Sequence, residues 1–324
     1  MKKLSQLANE VNTLLIDEIS KIKNQKSVLL FSGGADSLWL WALMKKSNCK
    51  FDVLHSVPSD ISNDNNLDLK YAKAFLEKEP SIKFLEYPIL SKDLHIFNKK
   101  MNNHQPFRVF ESHVIKNKLL LNYDLIIRGE DIRVHTPFLR KSCWNAYNRK
   151  IGLPYWSNKN RFRGEHILSS WWNALVGSNH KKKYVDKYGI ELDIQNLTYV
   201  ECHKKLCDSV YINQTEKEDR YLGSFYNERN VLYPFLSEKF KIWCNNNVED
   251  ICSHVKSLSL NEYRFQKILI MEALKILDIP NNYVKSKATL DVQKEMLSFL
   301  NLNSKSNYST MSHEWLKYLE KLDD

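Results

Sequence analysis

Leu4, Leu7, Val11, Leu14, Leu15, Ile19 and Ile22 recur at helical intervals, so the chain is expected to open with an amphipathic helix laid on the core. The pattern then changes. Val28 to Phe31 is a short apolar run of the kind a buried strand needs; it breaks at Ser32-Gly33-Gly34-Ala35-Asp36-Ser37. Helical spacing resumes over Ser37 to Lys46, burying Leu38, Trp41 and Ala42, with Met44 or the stem of Lys45. Phe51 to Val57 predicts a second strand, Ser59 to Asn66 a polar loop, and Leu67 to Glu77 a helix carrying Leu69, Ala72, Ala74 and Leu76. Lys83 to Ile89 is a third strand, Phe110 to Leu121 a helix, and Tyr123 to Ile127 a fourth strand that ends at Arg128-Gly129-Glu130-Asp131. Short strands alternating with helices indicate an α/β fold built on a parallel sheet. Ligands of such sheets sit at the carboxyl ends of the strands, the edge where both broken stretches fall.

Beyond about Ile151 the character shifts. Trp156, Trp171, Trp172 and long polar runs appear, Glu165 to Val176 and Glu216 to Asn230 suit helices, and little suggests further parallel strands. The expected division is an α/β domain over 1–150 and a mainly helical substrate domain over 151–324.

Composition adds bounds rather than a function. At 324 residues, 43% hydrophobic and 27% charged, the chain is expected to be a soluble globular protein. Its formal charge of +10 favours anionic partners: nucleotides first, with tRNA or other nucleic acid as a further candidate. The densest basic run, Asn179-His180-Lys181-Lys182-Lys183-Tyr184, reads more simply as a solvated helix start or loop. Asn9, Glu10, Asp17 and Glu18 interrupt any signal-peptide core, and no apolar run is long enough to span a bilayer, so a cytoplasmic protein without a membrane partner is expected. Cys49, Cys143, Cys202, Cys207, Cys244 and Cys252 are few and irregularly spaced, which suits reduced thiols. Cys202-His203 with Cys207, and Cys244 with Cys252 and His254, contain zinc-ligand types but lack the C-x-x-C spacing of a strong signal.

The Ser32–Ser37 stretch carries the chemistry. A turn from a buried strand into a helix brings backbone N–H groups close to a ligand, and Gly33 and Gly34 permit both the backbone angles and the approach. Ser32 and Ser37 add hydroxyls, and the helix start adds positive partial charge, so phosphate is the natural ligand. Asp36 would repel phosphate unless a cation stood between them, which suggests Mg²⁺ shared with the ligand. A Walker loop is excluded, since no G-x-x-x-x-G-K-[ST] is present here.

SGGADS resembles the SGGxDS signature of the N-type ATP pyrophosphatases, the PP-loop superfamily. The family includes asparagine, β-lactam, GMP and NAD synthetases and several tRNA-modifying enzymes. The resemblance implies a parallel sheet of the adenine nucleotide alpha hydrolase-like type with a mainly helical C-terminal region. It also implies cleavage of ATP between the α and β phosphates and transfer of AMP to a substrate oxygen. Ser32, Gly33, Gly34, Asp36 and Ser37 would then hold ATP, and backbone near Val57, at the end of the second strand, would read adenine. Glu130 or Asp131 would join Asp36 around Mg²⁺; we assign Asp36 and Asp131 to the metal and Glu130 to catalysis.

Two later stretches point to the asparagine-synthetase and β-lactam-synthetase branch. Tyr233-Pro234-Phe235-Leu236-Ser237 resembles its R-x-P-F-L-D segment. Lys267 to Leu274, followed by Ile279 to Lys287, resembles its K-x-x-L-R-x-A … L-P-x-x-(I/V) … R-x-K ending. The resemblance makes Lys267 a nucleotide-binding residue and Lys287 the catalytic cation on the pyrophosphate, with Lys285 in the Arg position. The implied activity is an AMP-forming ligase that adenylates a small or carrier-bound carboxylate and then takes an amine or ammonia. A PP-loop enzyme modifying a nucleobase or tRNA is the alternative, and a non-catalytic nucleotide-binding or assembly protein a third reading. Departures bear on the acceptor: Asn230 and Leu232 stand where amide-forming members carry Glu and Arg, and Ser237 where Asp is usual. Glu228 and Arg229 lie nearby. The sequence also shows no N-terminal glutaminase domain, so ammonia from glutamine is not expected from this chain.

Overall fold

The computed structural model describes residues 2–58, 67–89, 120, 122–129, 230–254 and 267–279. The chain opens with helix α1 (Leu4–Ser20), followed by strand β1 (Ser27–Leu30), helix α2 (Ala35–Lys46), strand β2 (Phe51–Pro58), helix α3 (Leu67–Leu76) and strand β3 (Phe84–Ile89). Strand β4 (Leu125–Ile127), strand β5 (Val231–Leu232), a 3₁₀ turn at Pro234–Leu236, helix α4 (Glu238–Ser253) and helix α5 (Ile268–Ile276) complete the described elements. The expected helices over Glu165 to Val176 and Glu216 to Asn230, most of Phe110 to Leu121, and the Ser59 to Asn66 loop lie outside them.

All strands run parallel in one five-stranded sheet of order β3-β2-β1-β4-β5. This is the α/β architecture that the alternating pattern implies. In the centre, Val28 stands opposite Asp52 on one side and Ile126 on the other. Val28 and Leu29 are fully buried, as both faces of a parallel sheet require.

Strand β5 lies beyond residue 151, where little in the sequence suggests a further parallel strand: Ile126 pairs with Val231 and Ile127 with Leu232. A two-residue strand is too short to show a period, so its apolar pair looks like any other. The described parts of the later region thus add a strand to the sheet built by the first.

Helix α2 differs from a sheet-covering helix in that every face is buried. Trp39, Leu40 and Leu43 are sequestered along with Leu38, Trp41 and Ala42. A helix apolar all round needs cover on its outer side. Helices α1 and α5 pack on α2 and on each other, α4 packs on α1, and the 3₁₀ turn sits against α1. Phe235 from that turn stacks on Trp39 with ring centroids 5.0 Å apart and meets Phe240 at 5.5 Å. Leu7, Leu15 and Ile19 of α1 and Leu269 and Leu274 of α5 close the same core. On the α1 side, the polar face is held by Lys2–Glu10 (2.7 Å) and Glu18–Lys239 (3.0 Å) ion pairs.

Candidate functional site

The sheet order places a topological switch point at β1. The chain leaves β1 through α2 to β2 on one side, while β4 flanks β1 on the other. In sheets of this kind ligands sit outside the carboxyl ends of the strands at such a point, here β1 and β4.

At the end of β1, the Phe31 amide still bonds the Leu54 carbonyl at 2.9 Å, and the His55 ring donates from Nδ1 to the Phe31 carbonyl at 2.6 Å. The strand is thus anchored up to the point where the loop begins. Gly33 has φ 70, the left-handed region that side-chain-bearing residues avoid. Gly34 is the extended N-cap of α2 and supplies no side-chain cap. In place of a cap, the two serines bind the loop together: Ser37 Oγ donates to the Gly34 carbonyl at 3.0 Å, the Gly34 amide donates to Ser32 Oγ at 3.3 Å, and the hydroxyls lie 3.2 Å apart. Helix α2 begins at Ala35, earlier than the apolar spacing suggests, so Asp36 stands in its first turn.

At the end of β4, the Arg128 amide bonds the Leu232 carbonyl at 3.0 Å. Its buried guanidinium donates to the Tyr233 hydroxyl at 2.9 Å and lies 5.3 Å from the ring centroid. Gly129 passes so close to α2 that a Cβ there would stand 2.9 Å from Leu40 Cδ1 and 3.4 Å from the Asp36 carbonyl oxygen. The ends of β1 and β4 therefore meet through the first turn of α2.

Lys267, the residue that precedes α5, reaches this turn across 231 positions of sequence and donates its ammonium to Asp36 Oδ2. The side chains are only 11% and 22% exposed, so the pair is largely withdrawn from water.

Of the residues singled out from sequence, Ser32, Gly33, Gly34, Asp36, Ser37 and Lys267 form one cluster at this edge. Val57 lies near the carboxyl end of β2, opposite Pro88 of β3. Glu130 and Asp131, which follow Gly129 directly, and Lys287 lie outside the described residues. Arg128 and Tyr233 figure in the sequence reading only as members of the 128–131 and 233–237 stretches, with no role of their own. Their signal would have been position, since each follows the end of a strand in the same sheet.

Among the described residues, no group of three or more His, Cys, Asp or Glu side chains is arranged to hold a metal ion. Cys244 is buried in the core, and the His254 ring donates from Nε2 to the Lys2 carbonyl at 2.6 Å. Cys202 and Cys207 lie outside the described residues. No described helix is long and apolar enough to cross a membrane.

No family model matches the chain, and no curated protein matches it. Among solved structures, the chain is similar to the U34-tRNA thiolase NcsA from Methanococcus maripaludis with its 4Fe–4S cluster, at 12% identity over 86% of each chain and a TM-score of 0.29. At that score the likeness carries no argument, and the fold assignment rests on the sheet itself.

Proposed function

We propose that this chain binds ATP with Mg²⁺ at the carboxyl edge of β1 and β4 and transfers AMP to an acceptor, releasing pyrophosphate. The observation that carries the reading is the Ser32–Ser37 loop: a glycine turn with φ 70, leading into a helix start at the switch point, with Lys267 against Asp36. The resemblance to SGGxDS supplies the bond that is cut.

The residues suit the phosphates. Gly33 and Gly34 leave no side chain above the turn, Ser32 and Ser37 offer hydroxyls, and Lys267 is a movable cation. For Mg²⁺, Asp36 is the single carboxylate described at this edge; that ion keeps several waters and takes phosphate oxygens, so one or two carboxylates suffice. When bound, it would neutralise charge on the phosphates. The chain's own residues would hold the phosphates, keep the α phosphorus facing the acceptor and offset charge on the departing pyrophosphate, the role assigned to Lys287. Glu130 and Asp131 would complete the acidic side.

The acceptor oxygen attacks the α phosphorus, the bond to the β phosphate breaks, and a nucleophile then displaces AMP. Resemblance over 233–240 and 267–287 supports a carboxylate acceptor and an amine or ammonia donor. The formal charge of +10 and the departures at Asn230, Leu232 and Ser237 favour a nucleobase or tRNA acceptor instead. The test incubates the protein with ATP labelled at the α phosphate, adding amino acids with ammonia in one arm and total tRNA in the other. The reading expects AMP and pyrophosphate, and the arm that supports turnover identifies the acceptor class. Release of ADP and phosphate alone would contradict it. ATP binding without turnover in either arm or in whole-cell extract would favour the non-catalytic reading.

A further inference from the structure

We propose that Lys267 is an exchangeable counter-ion: in the nucleotide-free chain it occupies Asp36 in place of a divalent cation, and on arrival of the metal-bound nucleotide it moves from the carboxylate to a phosphate oxygen. The inference rests on the nucleotide reading above and adds an order of events to it.

The geometry specifies which partner moves. Asp36 is fixed from two sides: it sits in the first turn of α2, whose start is tied by Ser37 to the Gly34 carbonyl, and its own carbonyl abuts Gly129 at the end of β4. Lys267 has its backbone anchored by the Met271 amide at 2.9 Å, but its ammonium stands on a flexible four-carbon stem. The carboxylate is therefore the stationary partner and the ammonium the mobile one.

Charge explains why the exchange waits for nucleotide. A bare divalent cation entering at Asp36 would leave Lys267 beside it, two like charges in a pair largely withdrawn from water. A nucleotide polyphosphate brings negative charge that can face both cations at once. The pair thus disfavours metal alone while accepting metal and nucleotide together, a coupling that is reciprocal between the two ligands.

The experiment measures Mn²⁺ binding to the nucleotide-free protein by loss of its free-ion electron paramagnetic resonance signal, for wild type, Lys267→Met and Lys267→Gln. Neutralising Lys267 is expected to tighten Mn²⁺ binding by about tenfold, because the competing cation is gone. The same variants are expected to bind Mg·ATP about tenfold more weakly, having lost a charge-assisted bond to phosphate. Adding Asp36→Asn to either variant should abolish the gain in Mn²⁺ binding. Glutamine serves as the near-isosteric neutral side chain should methionine fail to fold. Unchanged Mn²⁺ affinity in a folded variant, with wild type still binding ATP, overturns the exchange and leaves the nucleotide reading standing. Wild type that binds no ATP overturns that reading and the exchange with it.

Discussion

The indole N–H of Trp39 donates to Asn12 Oδ1 at 2.8 Å, and the same amide donates from Nδ2 to the Ala273 carbonyl at 3.0 Å. One buried side chain thereby joins α1, α2 and α5. It holds the helix that starts at the glycine loop against the helix that follows Lys267. Replacing Asn12 with Leu strands the buried Trp39 indole N–H, at a cost of about 1–3 kcal/mol, and leaves the Ala273 carbonyl to the Leu277 amide at 3.2 Å. The expected result is a lower urea midpoint together with weaker nucleotide binding, because the α2 and α5 ends lose their common reference.

Phe235 is fully buried and stacked on Trp39. Truncation to Ala should cost about 3–5 kcal/mol, the usual loss for a buried aromatic. Fluorescence and circular dichroism should lose signal together, since the later region packs on the same helix as the early one. Two separated transitions would show that 230–254 folds apart from the sheet.

Most of the sheet was legible because its strands are apolar runs between polar breaks, and α1 because its apolar stripe keeps a strict period. The glycine loop was legible because its residue types have few other uses in that order. Two things were not. Burial on all sides of α2 depends on Phe235 and α5, which lie far along the chain and carry no local mark in Trp39 or Leu43. The ion pair of Lys267 with Asp36 is a long-range contact: the resemblance places both residues at the nucleotide, but no spacing in the sequence marks a direct bond between them.

Gly33→Ala places a Cβ in the left-handed region, costing about 1–2 kcal/mol of backbone strain. Gly129→Ala forces a Cβ to within 2.9 Å of Leu40 and against the Asp36 carbonyl. The carbonyl at 3.4 Å is in ordinary contact, so relief must come from Leu40, a fully buried side chain, and overpacking of about 1–3 kcal/mol is expected. Both variants should lose Mg·ATP affinity beyond their loss of stability, measured by titration of folded protein well below the melting temperature.

Stability should fall at both extremes of pH. Burial works to raise the Glu10 pKa, and hydrogen bonds from Lys2, Gln6 and Trp243 outweigh it, leaving the carboxyl below its ordinary 4.5. Hydrogen bonds from Lys21 and Lys239 lower Glu18 in the same sense, against burial. A depressed folded pKa gives stability that is present above 4.5 and lost as pH falls through the folded values. Glu10→Gln with Glu18→Gln should flatten the acid limb of a urea-midpoint profile.

At alkaline pH the sign reverses. Burial pushes the Cys49 thiol from 9.0 up to about 11, so the folded thiol keeps its proton where the unfolded one ionises. Stability is then complete below 9.0 and declines as pH rises to about 11. Burial and the hydrogen bond to Asp52 raise Tyr123 likewise, adding to the same limb. Cys49→Ala should flatten that decline, and Cys49 should react slowly with alkylating reagents near neutrality.

The central claim is that Asp36 and the glycine loop form the seat of a metal-bound nucleotide. Calorimetric titration of wild type and Asp36→Asn with Mg·ATP tests it most directly. Saturable binding by wild type, weakened about tenfold or more in a variant that remains folded at the titration temperature, is the predicted result. Equal affinity in the two proteins, or no binding by wild type, would contradict it.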